Sequence, residues 1–140
     1  MVLGFKKEFK QPILDEIKIH SFREDPNGRW KAGNSIQMAT GVRTKHYSCF
    51  KEAVCTSTQT IKLVNNPSSM LAIVDEVFIF HFNAMNIIAV NDGFENAYSM
   101  MDFFFGDQSK NFGEVTRKII HWTDFTYSYS SIENLLNKQQ

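Results

Sequence analysis

Cysteine is scarce in this chain: Cys49 and Cys55 are the only two in 140 residues. A disulfide scaffold is thereby excluded as the organising device. The start, Met1 to Lys10, is basic and has no apolar leader core, so the two cysteines read most simply as reduced thiols in a cytoplasm. A single disulfide is the lesser alternative. Long hydrophobic runs are missing, and no membrane-spanning helix is expected. Charge of one sign is missing too. Fifteen Lys and Arg balance fifteen Asp and Glu, which leaves no global field to recruit polyanions. The chain carries no Gly-x-Gly-x-x-Gly, no P-loop, no zinc signature and no internal repeat. His20, His46, His81 and His121 do not fall at metal-ligand spacing, so neither a metal nor a cofactor is expected.

Phenylalanine is what the chain has in plenty: thirteen residues in a composition 43% hydrophobic and 21% charged. That composition is globular, and the length suits one domain able to bury a core without staples. The rings serve first as core, with some available as stacking surfaces. Charge is divided unevenly. Residues 1–62 hold eleven Lys/Arg against six Asp/Glu, a net of +5, and residues 63–140 hold four against nine, a net of −5. One basic face results if the halves stay apart, and a mixed surface if they interleave.

Taken in order, residues 1–10 form an irregular or helical lead-in, and Pro12 opens one helical turn through Ile17. Lys18 to Arg23 alternates as a strand. Ile19, Ser21 and Arg23 share one face, and Lys18, His20 and Phe22 the other. Asp25-Pro26-Asn27-Gly28 and Gly33-Asn34 are turns, followed by a strand from Ser35 to Thr40 and a basic loop from Gly41 to Ser48. Cys49 to Val64 reads as one or two strands, and Asn65 to Ser69 breaks the chain. Glu76 to Phe82, apolar on both faces, predicts a central strand or barrel wall. Asp92-x-x-Glu95 predicts a capping box opening a helix with an apolar face of Phe94, Ala97, Tyr98, Met101, Phe104 and Phe105, ended by Gly106. Lys118 to Phe125 predicts a closing strand. Residues 127–140 read as a polar tail with a weak helix from Ser131 to Lys138, which leaves 1–126 as the domain. The expected fold is α+β: a strongly curved mixed sheet, or pseudobarrel, with one main helix and short flanking helices.

Several residues carry chemistry, each beside a plainer role. Lys18 facing a pocket would have its amine depressed by desolvation; facing water, it is one solvated lysine among many. Ser21 offers a hydroxyl to a ligand or to its own backbone. Arg23 brings a fork for a carboxylate or phosphate. Asp92 caps a helix or orients a polar guest. Strict alternation separates Lys18 from Ser21, and joint action demands a bend or bulge between them. Arg43, Lys45 and Lys51 with Tyr47 and Phe50 form either a solvated loop or a track for single-stranded nucleic acid. The aromatic residues also allow a protein-interaction role.

Lys18-x-x-Ser21-x-Arg23, a short turn, and then Trp30-Lys31-Ala32-Gly33 before a strand resembles the ASCH domain, a family within the PUA-like superfamily of pseudobarrels that handle RNA and modified bases. The family signature is a lysine, a polar residue three on and an arginine five on, then a lysine/threonine–glycine turn. Ala89-Val90-Asn91-Asp92 is similar to the family's alanine and acid at a helix start, and Lys118 to Phe125 to its closing strand. The likeness covers roughly residues 12–125, with Asp15-Glu16-Ile17 where the signature usually opens on glycine. It implies a pseudobarrel that binds RNA, a nucleotide or a modified nucleoside in a cleft lined by Lys18, Ser21, Arg23 and Asp92, with Trp30, Arg43 and Lys45 as further ligand-binding residues. One branch of the family deacetylates N4-acetylcytidine with a lysine, a threonine and a glutamate. Lys18, Ser21 and Asp92 stand at the matching positions here, so an amidohydrolase is the alternative to binding alone.

Overall fold

Ile119 and Ile120 are neighbours in the chain, and alternation along a strand sends them to opposite faces. Both are fully buried, each in a different hydrophobic core. The strand that carries them divides the molecule. The computed structural model describes residues 1–138. In chain order its strands are β1 (Val2–Phe5), β2 (His20–Arg23), β3 (Ser35–Thr40), β4 (Ser48–Val54), β5 (Ser57–Asn66), β6 (Ser69–Val74), β7 (Val77–Ile79) and β8 (Gly113–His121). Its helices are α1 (Lys10–Leu14), α2 (Phe82–Asn91), α3 (Ala97–Phe105) and α4 (Tyr129–Lys138). The fold is α+β.

Five strands form an antiparallel sheet in the order β2-β8-β5-β6-β7. Ile61 and Leu63 of β5, Ala72 and Val74 of β6 and Ile119 of β8 face one way, under Met85 and Ile88 of α2 and Met100 and Met101 of α3. The smaller sheet has the order β1-β3-β4, with β1 parallel to β3 and a register shift between Met38 and Ala39. Leu3, Ile36 and Met38 of that sheet close over Ile13, Trp30, Cys55 and Ile120. The two sheets approach at the N-terminal strand, where the Arg23 guanidinium of β2 donates to the carbonyl of Gly4 in β1 at 2.6 Å.

The turns at 25–28 and 33–34 and the bounds of β3 are as the sequence predicts. Glu76 to Phe82 is not a central strand. Only Val77–Ile79 pairs, at the sheet's edge; Phe78, Phe80 and Phe82 are exposed, and Phe82 already opens α2. Burial on both faces falls instead on the end of β8, Ile119 to His121, and on His20 to Phe22 of β2. Asp92 does not cap the following helix either: it is the C-cap of α2, while Asn96 accepts from the Ser99 amide as N-cap of α3. Of the expected polar tail, residues 139 and 140 lie outside the described residues. Within the rest, Tyr127 is buried, and Ile132 and Leu136 of α4 pack against the larger core. Oppositely charged halves interleave through Lys18–Asp92, Arg117–Glu24 and Lys118–Asp25. Cys49 is exposed and Cys55 buried, both as free thiols.

Candidate functional site

β2 begins only at His20, so the alternation rule does not govern Lys18. The chain leaves α1 through Glu16 in the left-handed region (φ 61°), and the amides of Ile17 and Lys18 both donate to the Pro12 carbonyl. That turn carries the Lys18 side chain to the wall where Ser21 and Arg23 emerge, with no bulge in the β2–β8 pairing. Gly93 makes room for it. Its φ is +93°, and a Cβ there would stand 2.9 Å from Lys18 Cδ and 2.8 Å from Phe9 Cδ1. Lys18, Ser21, Arg23 and Asp92 thus line one cleft of about 610 Å³. Phe5, Phe9, Phe94, Phe103 and Phe104 supply its apolar surface.

Lys18 is only 2% exposed. Its Nζ donates to the carbonyls of His20 (2.9 Å) and Asp92 (2.5 Å) and to Asp92 Oδ1 (3.2 Å), and it lies 5.0 Å over the Phe9 ring. An ammonium has three protons, and all three are engaged. Burial pushes the Lys18 amine below its ordinary value, and Asp92 pulls it back. Asp92 Oδ1 also meets His20 Nδ1 at 3.1 Å, while His20 Nε2 lies 2.7 Å from the Tyr127 hydroxyl. The Asn91 amide donates to that same hydroxyl at 3.0 Å. Donor counting fixes the protons. Tyr127 accepts from Asn91 and gives its own proton to His20 Nε2, so the His20 proton sits on Nδ1 and points at Asp92. Burial lowers His20 and raises Tyr127, in accord with a neutral ring and a neutral phenol.

Asp92 Oδ2 has no protein hydrogen bond among the described residues. Ser21 Oγ accepts from Arg23 Nε at 2.9 Å, which leaves its own proton free to donate. Arg23 stacks on Phe5, with the guanidinium carbon 4.8 Å from the ring centre. Asp92, Ser21 and Arg23 therefore bring one acceptor and two donors to a cleft with aromatic walls. Among the described residues no three His, Cys, Asp or Glu side chains gather as a metal site requires.

Trp30 lies elsewhere. It is buried in the smaller core, and its amide is tied to Asp25 Oδ2, so its role is packing and not ligand contact. Arg43 and Lys45 sit on the exposed loop between β3 and β4, outside the cleft lining. His81 is the N-cap of α2, and His121 is a core histidine bonded to Gln59 at 3.0 Å. Sequence reasoning missed His20 and Tyr127 as supports of Asp92. His20 shares a face with Phe22, which signalled core, and nothing in a Ser-rich stretch marks Tyr127 as its partner, 107 residues away. Phe94 and Phe104 were legible only as a helix face.

Compared with protein-family models, with curated proteins and with solved structures, the chain gives no match.

Proposed function

We propose that the cleft binds a nucleobase, carried by a nucleoside, a nucleotide or RNA, and that the chain is an ASCH-type, PUA-like pseudobarrel domain. The reading rests on one observation: Asp92, Ser21 and Arg23 share a hollow with Phe9, Phe94 and Phe104. A base edge offers N–H donors beside ring-nitrogen and carbonyl acceptors. A carboxylate oxygen accepts the former, and a hydroxyl and a guanidinium serve the latter. Aromatic rings favour the flat faces of any base, and the volume lies in the usual range for small-molecule sites. Titration calorimetry with cytidine, N4-acetylcytidine, uridine, adenosine and guanosine tests it. At least one nucleoside is expected to bind, with Asp92→Asn weakening it roughly ten- to a hundredfold, the loss of about 1.5–3 kcal/mol for a hydrogen bond to a charged group. Absence of heat and of cleft NMR shifts with all five would overturn the proposal.

The depressed amine of Lys18 beside a carboxylate favours a second reading, the amidohydrolase. Lys18 would act as base or nucleophile, Ser21 as its hydroxyl partner, and Asp92 would position water or protonate the leaving amine. Against this, an ammonium with three engaged protons has no lone pair to offer, and aspartate reaches one methylene less than glutamate. Incubation with N4-acetylcytidine decides: the expected result is binding without acetate release. Release that Lys18→Ala abolishes would replace binding with hydrolysis.

A further inference from the structure

A second hollow of about 340 Å³ adjoins the cleft, and the two share Arg23, Glu24 and Arg117 as lining. Charges around the two adjoining hollows do not cancel. Lys18 is matched by Asp92 at 3.2 Å and Lys118 by Asp25 at 2.7 Å. Lys6, Arg23 and Arg117 then face a single carboxylate, Glu24. Two of the cations stand on the Phe103–Phe104 side, with Lys6 Nζ 5.1 Å over Phe103 and the Arg117 guanidinium 5.6 Å over Phe104, while Arg23 lies against Phe5. Those two rings meet edge to face, 5.1 Å apart. Glu24 touches Arg117 at 3.4 Å, and its side chain is 73% exposed. A partner so exposed holds its cation weakly and leaves it readily.

We infer that this rim is an anion subsite for a phosphate monoester on the ligand, and that Glu24 stands beside Arg117 Nη2 until the phosphate arrives, while Nη1 donates to the Thr116 carbonyl. The inference rests on the base-binding reading of the cleft and narrows it, from nucleosides in general to nucleotides or a terminal phosphate of RNA. Three cations against one carboxylate leave a surplus of two. A phosphate monoester near −1.5 to −2 at neutral pH fits that surplus, and the guanidinium fork fits its oxygens. The adjoining hollow supplies the Thr60 and Thr116 side chains at the same edge.

The test compares cytidine, cytidine 5′-monophosphate and inorganic phosphate by calorimetry on the full chain, at 50 and 300 mM salt. Cytidine 5′-monophosphate is expected to bind at least tenfold tighter than cytidine at low salt, with the advantage shrinking at high salt. Arg117→Ala should bring the nucleotide-to-nucleoside affinity ratio close to one, and Glu24→Gln should raise it several-fold. Both side chains are on the rim, and circular dichroism verifies that the variants fold. Equal affinities for nucleotide and nucleoside overturn the subsite and leave the base reading standing. So does inorganic phosphate that binds as well to Arg117→Ala as to the parent chain. If neither cytidine nor its monophosphate binds while guanosine or another nucleoside does, the monophosphate of that nucleoside replaces them under the same criteria. If no nucleoside binds, the base reading itself fails, and this inference with it.

Discussion

Gly93 shows how much of the site hangs on single atoms. Its φ of +93° is a conformation that side chains resist, and a Cβ would press on the Phe9 ring and the Lys18 stem together. Gly28, at φ +63°, has nothing within 4 Å of a built Cβ. The two glycines therefore separate backbone strain from crowding. Gly28→Ala should cost about 1–2 kcal/mol, the left-handed penalty alone. Gly93→Ala should cost about 2–4 kcal/mol, because over-packing adds to strain, and it should also weaken nucleoside binding by displacing Lys18. Urea denaturation of both variants measures the difference, and equal costs would falsify the account of how Lys18 is housed. Lys18 and Asp92 are both buried, so each is held in place by the other. Removing either leaves an unmatched charge in a dry setting, far costlier than breaking an exposed pair.

At the scale of elements, the question is why some were legible and others were not. β2 and β3 announce themselves, since both alternate; turn residues flank β3 and follow β2, and with no such signal before it the start of β2 is misjudged by two residues. Glu76 to Phe82 misleads, because a continuous apolar run describes a strand buried on two faces and equally an exposed edge running into a helix. α2, Phe82–Asn91, is apolar nearly all round, so no helical period marks it. The capping residue is a matter of four positions. Asp92-x-x-Glu95 has the spacing of a box, yet the chain turns once more through Gly93 before Asn96 starts α3. That displacement frees the Asp92 side chain for the cleft. Asn96→Ala should accordingly cost about 1 kcal/mol, the usual value of a cap, whereas Glu95→Ala should be near neutral. Thermal unfolding of the two variants checks this, and a larger loss at Glu95 would restore the box.

For the molecule as a whole, the segments that complete the site come from its ends: Gly4 from the first strand, Lys18 from the turn before the second, His20 to Arg23 from the second itself, and Tyr127 from beyond the last. Local patterns do not encode such pairings, so Lys18, Ser21, Arg23 and Asp92 were legible as candidates while the cleft's aromatic wall and its scaffolding were not. The scaffolding has a consequence for acid stability. His20 and His121 are fully buried, with their rings 5.3 Å apart, edge to face. His121 gives its Nε2 proton to Gln59, which also takes the Tyr127 amide, so its Nδ1 carries a lone pair that meets no partner among the described residues. Charging the ring would put a proton there with nothing to receive it. Burial, reinforced by His20, pushes His121 down to about 3, against 6.5 when unfolded. His20 is lowered as well. Between those values the unfolded chain binds the proton and the folded chain does not, so stability is whole above about pH 6.5 and drains away as pH falls toward 3. Each histidine contributes up to about 1.4 kcal/mol per pH unit. Asp25, held near 2, adds its loss only below its ordinary value of 3.8. The decline between pH 6.5 and 4 therefore carries the mark of the histidines. Urea denaturation at pH 7, 5.5 and 4.5 should give a falling midpoint, and His121→Gln should make the decline shallower by about one proton's slope, whatever it does to stability at pH 7. An unchanged slope in that variant would place the acid sensitivity outside the buried pair.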